Sequence, residues 1–127
     1  MSVGPFSRIR DGTTLENNVY VGNHVEIKNS TLGEETKCGH FSYIGDAIIG
    51  RNVNVGAGTI TCNYDGISKH STVIGNYAFI GSNTMIVAPV VIGDNAVTGT
   101  GSIVNKNVPE GAKAIGAPIR IIKGERS

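Results

Sequence analysis

The chain reads as all-β: a parallel β-helix assembled from hexapeptide repeats. Three observations predict it. Branched apolar residues open one short unit after another, at Val3, Ile9, Leu15, Val21, Ile27, Leu32, then Ile44, Ile49, Val55, Ile74, Ile80, Ile86, Ile92 and Val104, with Cys38 and Thr98 in the same series. Glycine usually follows the opener, and Ser, Thr, Ala or Val sits four places after it. No segment sustains the 3.6-residue apolar spacing of a helix, beyond a weak trace near the C-terminus. A fixed short period is the signature of a stacked repeat.

Each position of the unit has a physical role. Six residues are too few for a helix pair and suit a short strand plus a corner, stacked on identical neighbours. The opener is the large inward residue, the residue four places on is the small inward one, and the glycine stands where a Cβ would clash. Three units per turn make a triangular coil of about 18 residues with a parallel strand on each flat side. The units run VGPFSR, IRDGTT, LENNVY and VGNHVE from Val3 to Glu26. The steps Ile27 to Leu32 and Ile44 to Ile49 are one residue short, which predicts a shortened corner at each. Between Thr61 and Ile74 the pattern lapses into TCNYDGISKHSTV, polar and carrying Asp-Gly. This predicts one extruded loop at about 61–73, on the face where repeat proteins collect insertions. The ladder resumes as IGNYAF, IGSNTM, IVAPVV, IGDNAV, TGTGSI and VNKNVP. Past Val104 it gives way to NVPEGAKAIGAPIRIIKGERS, whose residues 109–127 are expected to close the last coil. Because the repeat starts at residue 3 without a cap, lost upstream coils or a covering subunit are expected there.

Length makes residues 1–127 one domain. A net charge of +1 offers no global attraction to nucleic acid or an acidic membrane. Cys38 and Cys62 form neither a disulfide framework nor a C-x-x-C pair, and Cys38 falls on an opener as a small core residue. Neither a signal peptide nor a bilayer-spanning apolar run is present, so the cytoplasm is the expected location.

His24, His40 and His70 occupy different places in their units, so no metal site is expected. His40, in KCGHFSYIGDA, stands out. An outward imidazole on a rigid coil suits a general base, since its ordinary pKa lies near 6.5; a solvated surface histidine is the plain alternative. Arg8, Arg10, Lys28 and Lys69 are candidate phosphate ligands, and Asn54, Asn63 and Tyr64 candidate hydrogen-bonding residues. Each is weak alone, because a lone surface cation is more often simply solvated.

Together, VGPFSRIRDG, VGNHVEIKNS, LGEETKCGHFSYIGDA and VNVGAGTITCNYDGISKH closely resemble the acetyltransferase domain of bifunctional N-acetylglucosamine-1-phosphate uridyltransferase/glucosamine-1-phosphate acetyltransferase. The match covers roughly residues 3–108, and GAGTITCNYDG is far more specific than a generic hexapeptide. The resemblance implies a left-handed helix, a homotrimer with sites between subunits, and acetyl-CoA as co-substrate. It implies His40 as the catalytic base, Arg10, Lys28 and Lys69 on the sugar phosphate, and Tyr43 and Asn54 on the sugar. It further implies Asn63 and Tyr64 near the acetyl group, and Ala57, Ser82 and Thr100 along the coenzyme A groove. Two departures stand out. Thr100 replaces the family's usual alanine, and IGAPIR lacks the arginine expected near Ala117, leaving Arg120 as a substitute. The uridyltransferase domain is absent from this sequence, which is read as an excised domain or a stand-alone relative.

The leading expectation is therefore acetyl transfer to glucosamine 1-phosphate. An acyltransferase of the same fold acting on another amino sugar or amine is a second reading, opposed by the joint presence of Arg10, Lys28 and Lys69. A non-catalytic β-solenoid scaffold is a third. It needs only the inward columns and leaves the base, clamp and loop residues unexplained.

Overall fold

The computed structural model describes residues 1–122. Its strands lie on three faces. The first face carries Ser2–Val3, Tyr20–Val21, Lys37–Cys38, Asn54–Val55, Phe79–Ile80, Val97–Thr98 and Lys113–Ile115. The second carries Arg8–Ile9, Glu26–Lys28, Tyr43–Gly45, Ile60–Cys62, Met85–Val87 and Ile103–Val104. The third carries Thr14–Leu15, Thr31–Leu32, Ala47–Ile49, Thr72–Ile74 and Val90–Ile92. Within each face these strands pair parallel, coil on coil: Val3 with Val21, Val21 with Cys38, Cys38 with Val55, Val55 with Ile80, Ile80 with Thr98, Thr98 with Ala114. The result is a left-handed parallel β-helix of about six turns, with no helix among the described residues.

Both inward columns fill the core. Openers from Val21 to Val104 are buried, and Val19, Val25, Val53, Ala78, Val90 and Ala96 fill the small column beside them. Among the polar members of that column, Thr36 donates to the Gly50 carbonyl at 2.7 Å and accepts from the Val53 amide at 3.1 Å. Thr84 donates to the Gly81 carbonyl at 2.6 Å. Buried hydroxyls so paired cost little. In the first coil Val3 and Ile9 remain exposed.

The unit glycines act through close approach. A Cβ at Gly33, Gly56 or Gly81 would strike the main chain of the next coil, at 2.6, 2.5 and 2.6 Å. The left-handed turn residue is a different one, set past the glycine: Phe6, His24, Phe41 and Asn83 at one corner, Asn18, Glu35, Asn52, Tyr77 and Asn95 at another, all with φ between 53° and 64°. Asparagine tolerates this region better than other non-glycine residues, which explains its recurrence there.

The two short steps stack on each other, since Ile27 pairs with Ile44 and Leu32 with Ile49. The extruded loop is narrower than 61–73. Ile60–Cys62 and Thr72–Ile74 are strands, leaving 63–71 outside the coil. Thr61 is an inward residue whose hydroxyl accepts from the Gly45 amide at 2.8 Å, so a polar side chain hid the repeat there. The coil also continues past Val104: Val108 bridges Ile92, and Lys113–Ile115 lies parallel on the strand below. Arg120–Ile122 then returns antiparallel along Lys113–Ile115 with Ile119 buried, while residues 123–127 of the expected closing segment lie outside the described residues.

Candidate active site

The corner between the first and second faces stacks residues in columns. Main-chain bonds run from Phe41 to the Asn23 carbonyl, Gly58 to that of His40, Asn83 to that of Ala57, and Gly101 to that of Ser82, at 3.1, 2.9, 2.8 and 2.9 Å. His40, Ala57, Ser82 and Thr100 therefore share one column, coil above coil. The His40 side chain is exposed and meets the Phe41 ring edge-on at 5.2 Å. Phe41 belongs to the neighbouring column, where Phe6, His24 and Phe41 stack at 5.3 and 5.2 Å. These rings border an open apolar recess of about 450 Å³ that also takes in Tyr43 and Ile60. Above His40 the column narrows to small side chains.

The second face adds the cations. Register places Arg10 and Lys28 beside each other on successive coils, with Gly45 above Lys28. Arg10, Lys28, Arg8 and Asp11 line a polar depression of about 400 Å³. Lys69 reaches back from the loop to Lys28. The Lys69 amine holds Lys28 in its charged form against its partial burial, with help from Asp46. Lys28 pushes the Lys69 pKa down in turn, and Arg10 adds to this, so Lys69 is the member that releases its proton first. Two carboxylates balance the group: Glu26 holds Arg10 at 2.9 Å and Asp46 holds Lys28 at 3.2 Å. Three cations so close together make a site for an anion of high charge density.

Tyr43 and Asn63 meet at the edge of this group, with the Asn63 amide 3.3 Å from the Tyr43 hydroxyl and 2.8 Å from Asp46. The Tyr43 ring lies over Gly45, where any Cβ would run into the Tyr43 hydroxyl and the Asn63 amide. Gly45 and Asp46 are positions beside this group that the sequence reading missed. Their signal was the shortened corner they form, which was read only as geometry.

One expected residue, Asn54, stands apart within the chain, whereas Tyr64 bridges Lys69 across the loop. Asn54 pairs with Lys37 and Phe79 on the first face, while the coil neighbour of Tyr43 is Ile60. Tyr64 is exposed and donates its hydroxyl to the Gly66 carbonyl inside the loop at 2.8 Å. That loop is organised by Asp65, which accepts from the Ile67 and Ser68 amides at 2.8 and 2.7 Å and lies 2.7 Å from the His70 ring. Among the described residues no three His, Cys, Asp or Glu side chains gather to hold a metal ion. Nor is any described helix long and apolar enough to cross a membrane.

Fold and corner columns together define a hexapeptide-repeat β-helix of the kind seen in acyltransferases. The chain belongs to the family described as the GMPPB C-terminal domain, which matches residues 1–108. It is 57% identical over 122 residues to the bifunctional protein GlmU of Thermosipho africanus, covering 96% of this chain and 27% of that protein. It is 54% identical over 123 residues to GlmU of Streptococcus uberis, covering 97% and 27%. The chain thus spans about a quarter of the length of these curated relatives. Among solved structures, galactoside acetyltransferase in complex with coenzyme A superimposes with a TM-score of 0.78 at 28% identity, over 88% of this chain and 64% of that one. The acetyltransferase domain of PglB from Neisseria gonorrhoeae, in complex with acetyl coenzyme A, has a TM-score of 0.85 at 16% identity, over 94% and 56%, a likeness of fold.

Proposed function

We propose that this chain transfers the acetyl group of acetyl-CoA to the amino group of glucosamine 1-phosphate, in the cytoplasm. The observation that carries the reading is the placement of a cationic group of Arg10, Lys28 and Lys69 on the same chain as a corner column that runs from His40 through Ala57, Ser82 and Thr100. One suits a phosphate and the other a thioester arm. The similarity to GlmU proteins, and the coenzyme A in complex with galactoside acetyltransferase, support the same reading.

On this reading His40 takes a proton from the sugar ammonium, because a protonated amine has no lone pair with which to attack. The freed amine attacks the thioester carbonyl carbon, the attacking nitrogen gives up its second proton, the C–S bond breaks, and the leaving thiolate is protonated to the thiol. Arg10, Lys28 and Lys69 bind the phosphate, while Tyr43 and Asn54 orient the sugar. Asn63 and Tyr64 bound the acetyl group. Ala57, Ser82 and Thr100 leave a low strip at the corner that fits a pantetheine arm, with Thr100 the bulkiest of the three. Arg120, at the start of the returning strand, is the candidate substitute for the arginine that IGAPIR lacks near Ala117. Asn54 lies away from the cationic group within one chain, so a site using all of these residues draws on neighbouring copies. A homotrimer supplies them.

Lys28→Ala tests the clamp. It should raise KM for glucosamine 1-phosphate by about tenfold or more, as loss of a charge-assisted bond to phosphate does, and leave the poor turnover of unphosphorylated glucosamine unchanged. An equal loss on both acceptors contradicts the assignment.

A further inference from the structure

We propose that Asp46 is a positioning residue that fixes the phosphate clamp and the base of the loop in one arrangement, and so sets the preference for a phosphorylated acceptor. The inference rests on the acetyl-transfer reading and assigns that site a residue it did not include.

Asp46 sits at the one-residue-short corner with φ of 52°, a backbone that Asp tolerates better than most side chains. Its main chain is pinned from both sides: its amide donates to the Lys28 carbonyl at 3.0 Å, and its carbonyl accepts from the Thr72 amide at 3.2 Å. The side chain is about one-tenth exposed, and its carboxylate accepts from Lys28 at 3.2 Å, Asn29 at 2.9 Å and Asn63 at 2.8 Å. Those donors come from the coil below and from the first residue of the loop above. Asn63 in turn reaches Tyr43, so one carboxylate joins a clamp cation, the loop base and the tyrosine. Gly45 keeps the space in which they meet. Burial pushes the Asp46 carboxyl up, but the bonds from Asn29, Asn63 and Lys28 outweigh it and hold it below the usual carboxylate range. It is therefore ionised whenever a substrate arrives at neutral pH. A largely buried carboxylate with three donors is satisfied, and removing its charge leaves donors facing donors.

The sign of the effect separates positioning from plain electrostatics. A negative charge beside the clamp repels phosphate, so a mere counter-ion, once neutralised, lets phosphate bind tighter. A positioning residue, once neutralised, lets it bind more weakly. Asp46→Asn keeps the volume and tolerates the left-handed corner while losing the charge. In the 127-residue chain, KM for glucosamine 1-phosphate should rise about tenfold with kcat within about threefold, which corresponds to the coupling expected between groups in one network. The ratio of kcat/KM for phosphorylated over unphosphorylated glucosamine should fall to match. In a Lys28→Ala background, Asp46→Asn should lose most of its effect on KM, because the two act through one contact. Amide exchange across 63–71 should quicken. An unchanged or lower KM, or full additivity with Lys28→Ala, overturns the proposal even if wild-type acetyl transfer stands. If the wild-type protein does not use glucosamine 1-phosphate, the acetyl-transfer reading fails and the phosphate preference with it. Positioning is then decided by exchange alone, and unchanged protection of 63–71 overturns that as well.

Discussion

At the scale of single residues, the site depends on side chains that project outward from a frame whose inward columns are fixed. His40 contributes nothing to the core, so His40→Ala should leave thermal unfolding nearly unchanged while lowering kcat by roughly 10²–10⁴-fold, the usual worth of a general base. Steady-state kinetics with thiol detection reads this, and an unaltered kcat removes His40 from the chemistry. His40, Arg10, Lys28 and Lys69 were legible in the sequence because they sit in long specific motifs. Asp46 and Gly45 were not. Nothing in YIGDA says that the tyrosine turns across the glycine, or that the aspartate receives bonds from two other coils. Contacts between residues 17 or 18 apart depend on stacking register, and a shortened corner shifts that register. The left-handed residues were also hidden, because they lie past the glycines and carry side chains of several kinds.

At the scale of elements, the loop 63–71 leaves the coil's ladder, and it carries Lys69 towards the clamp. Its internal order depends on Asp65. The Ser68 amide, the His70 ring and the Ile67 amide hold that carboxyl well below the ordinary carboxylate range. A lowered carboxyl stabilises the structure above its unfolded value of about 3.9 and loses that contribution as pH falls through the lowered folded value. Protection of the Ile67 and Ser68 amides should therefore persist from neutral pH down to about 4 and fade only below it. Asp65→Ala should abolish that protection at every pH. Equal exchange in the two proteins would show that the loop is held by something else. The sequence marked this loop by polarity and Asp-Gly but set its edges too wide, since an inward threonine at 61 looks like a lapse in an aliphatic ladder. The same cause ended the predicted ladder early. Ala112 and Ala114 are inward residues too small to read as openers, yet they continue the coil.

At the scale of the whole molecule, stability is spread along a stack in which each coil touches only its neighbours. Ile86 is fully buried in the middle of that stack, between Thr61 and Val104 in register. Ile86→Ala should cost about 2–5 kcal/mol, as core truncations do, and denaturant unfolding measures it; a loss below about 1 kcal/mol contradicts a close-packed core. The fold itself was the most legible feature of the sequence, because a short period repeated over most of the chain leaves few architectures to choose from. The proposed activity rests on fewer residues, so it needs a direct assay. The decisive one measures thiol release from acetyl-CoA by the 127-residue protein, with glucosamine 1-phosphate, glucosamine and no acceptor side by side. Release that requires the phosphorylated sugar is the predicted result. Folded protein that releases no thiol with any of the three contradicts the account.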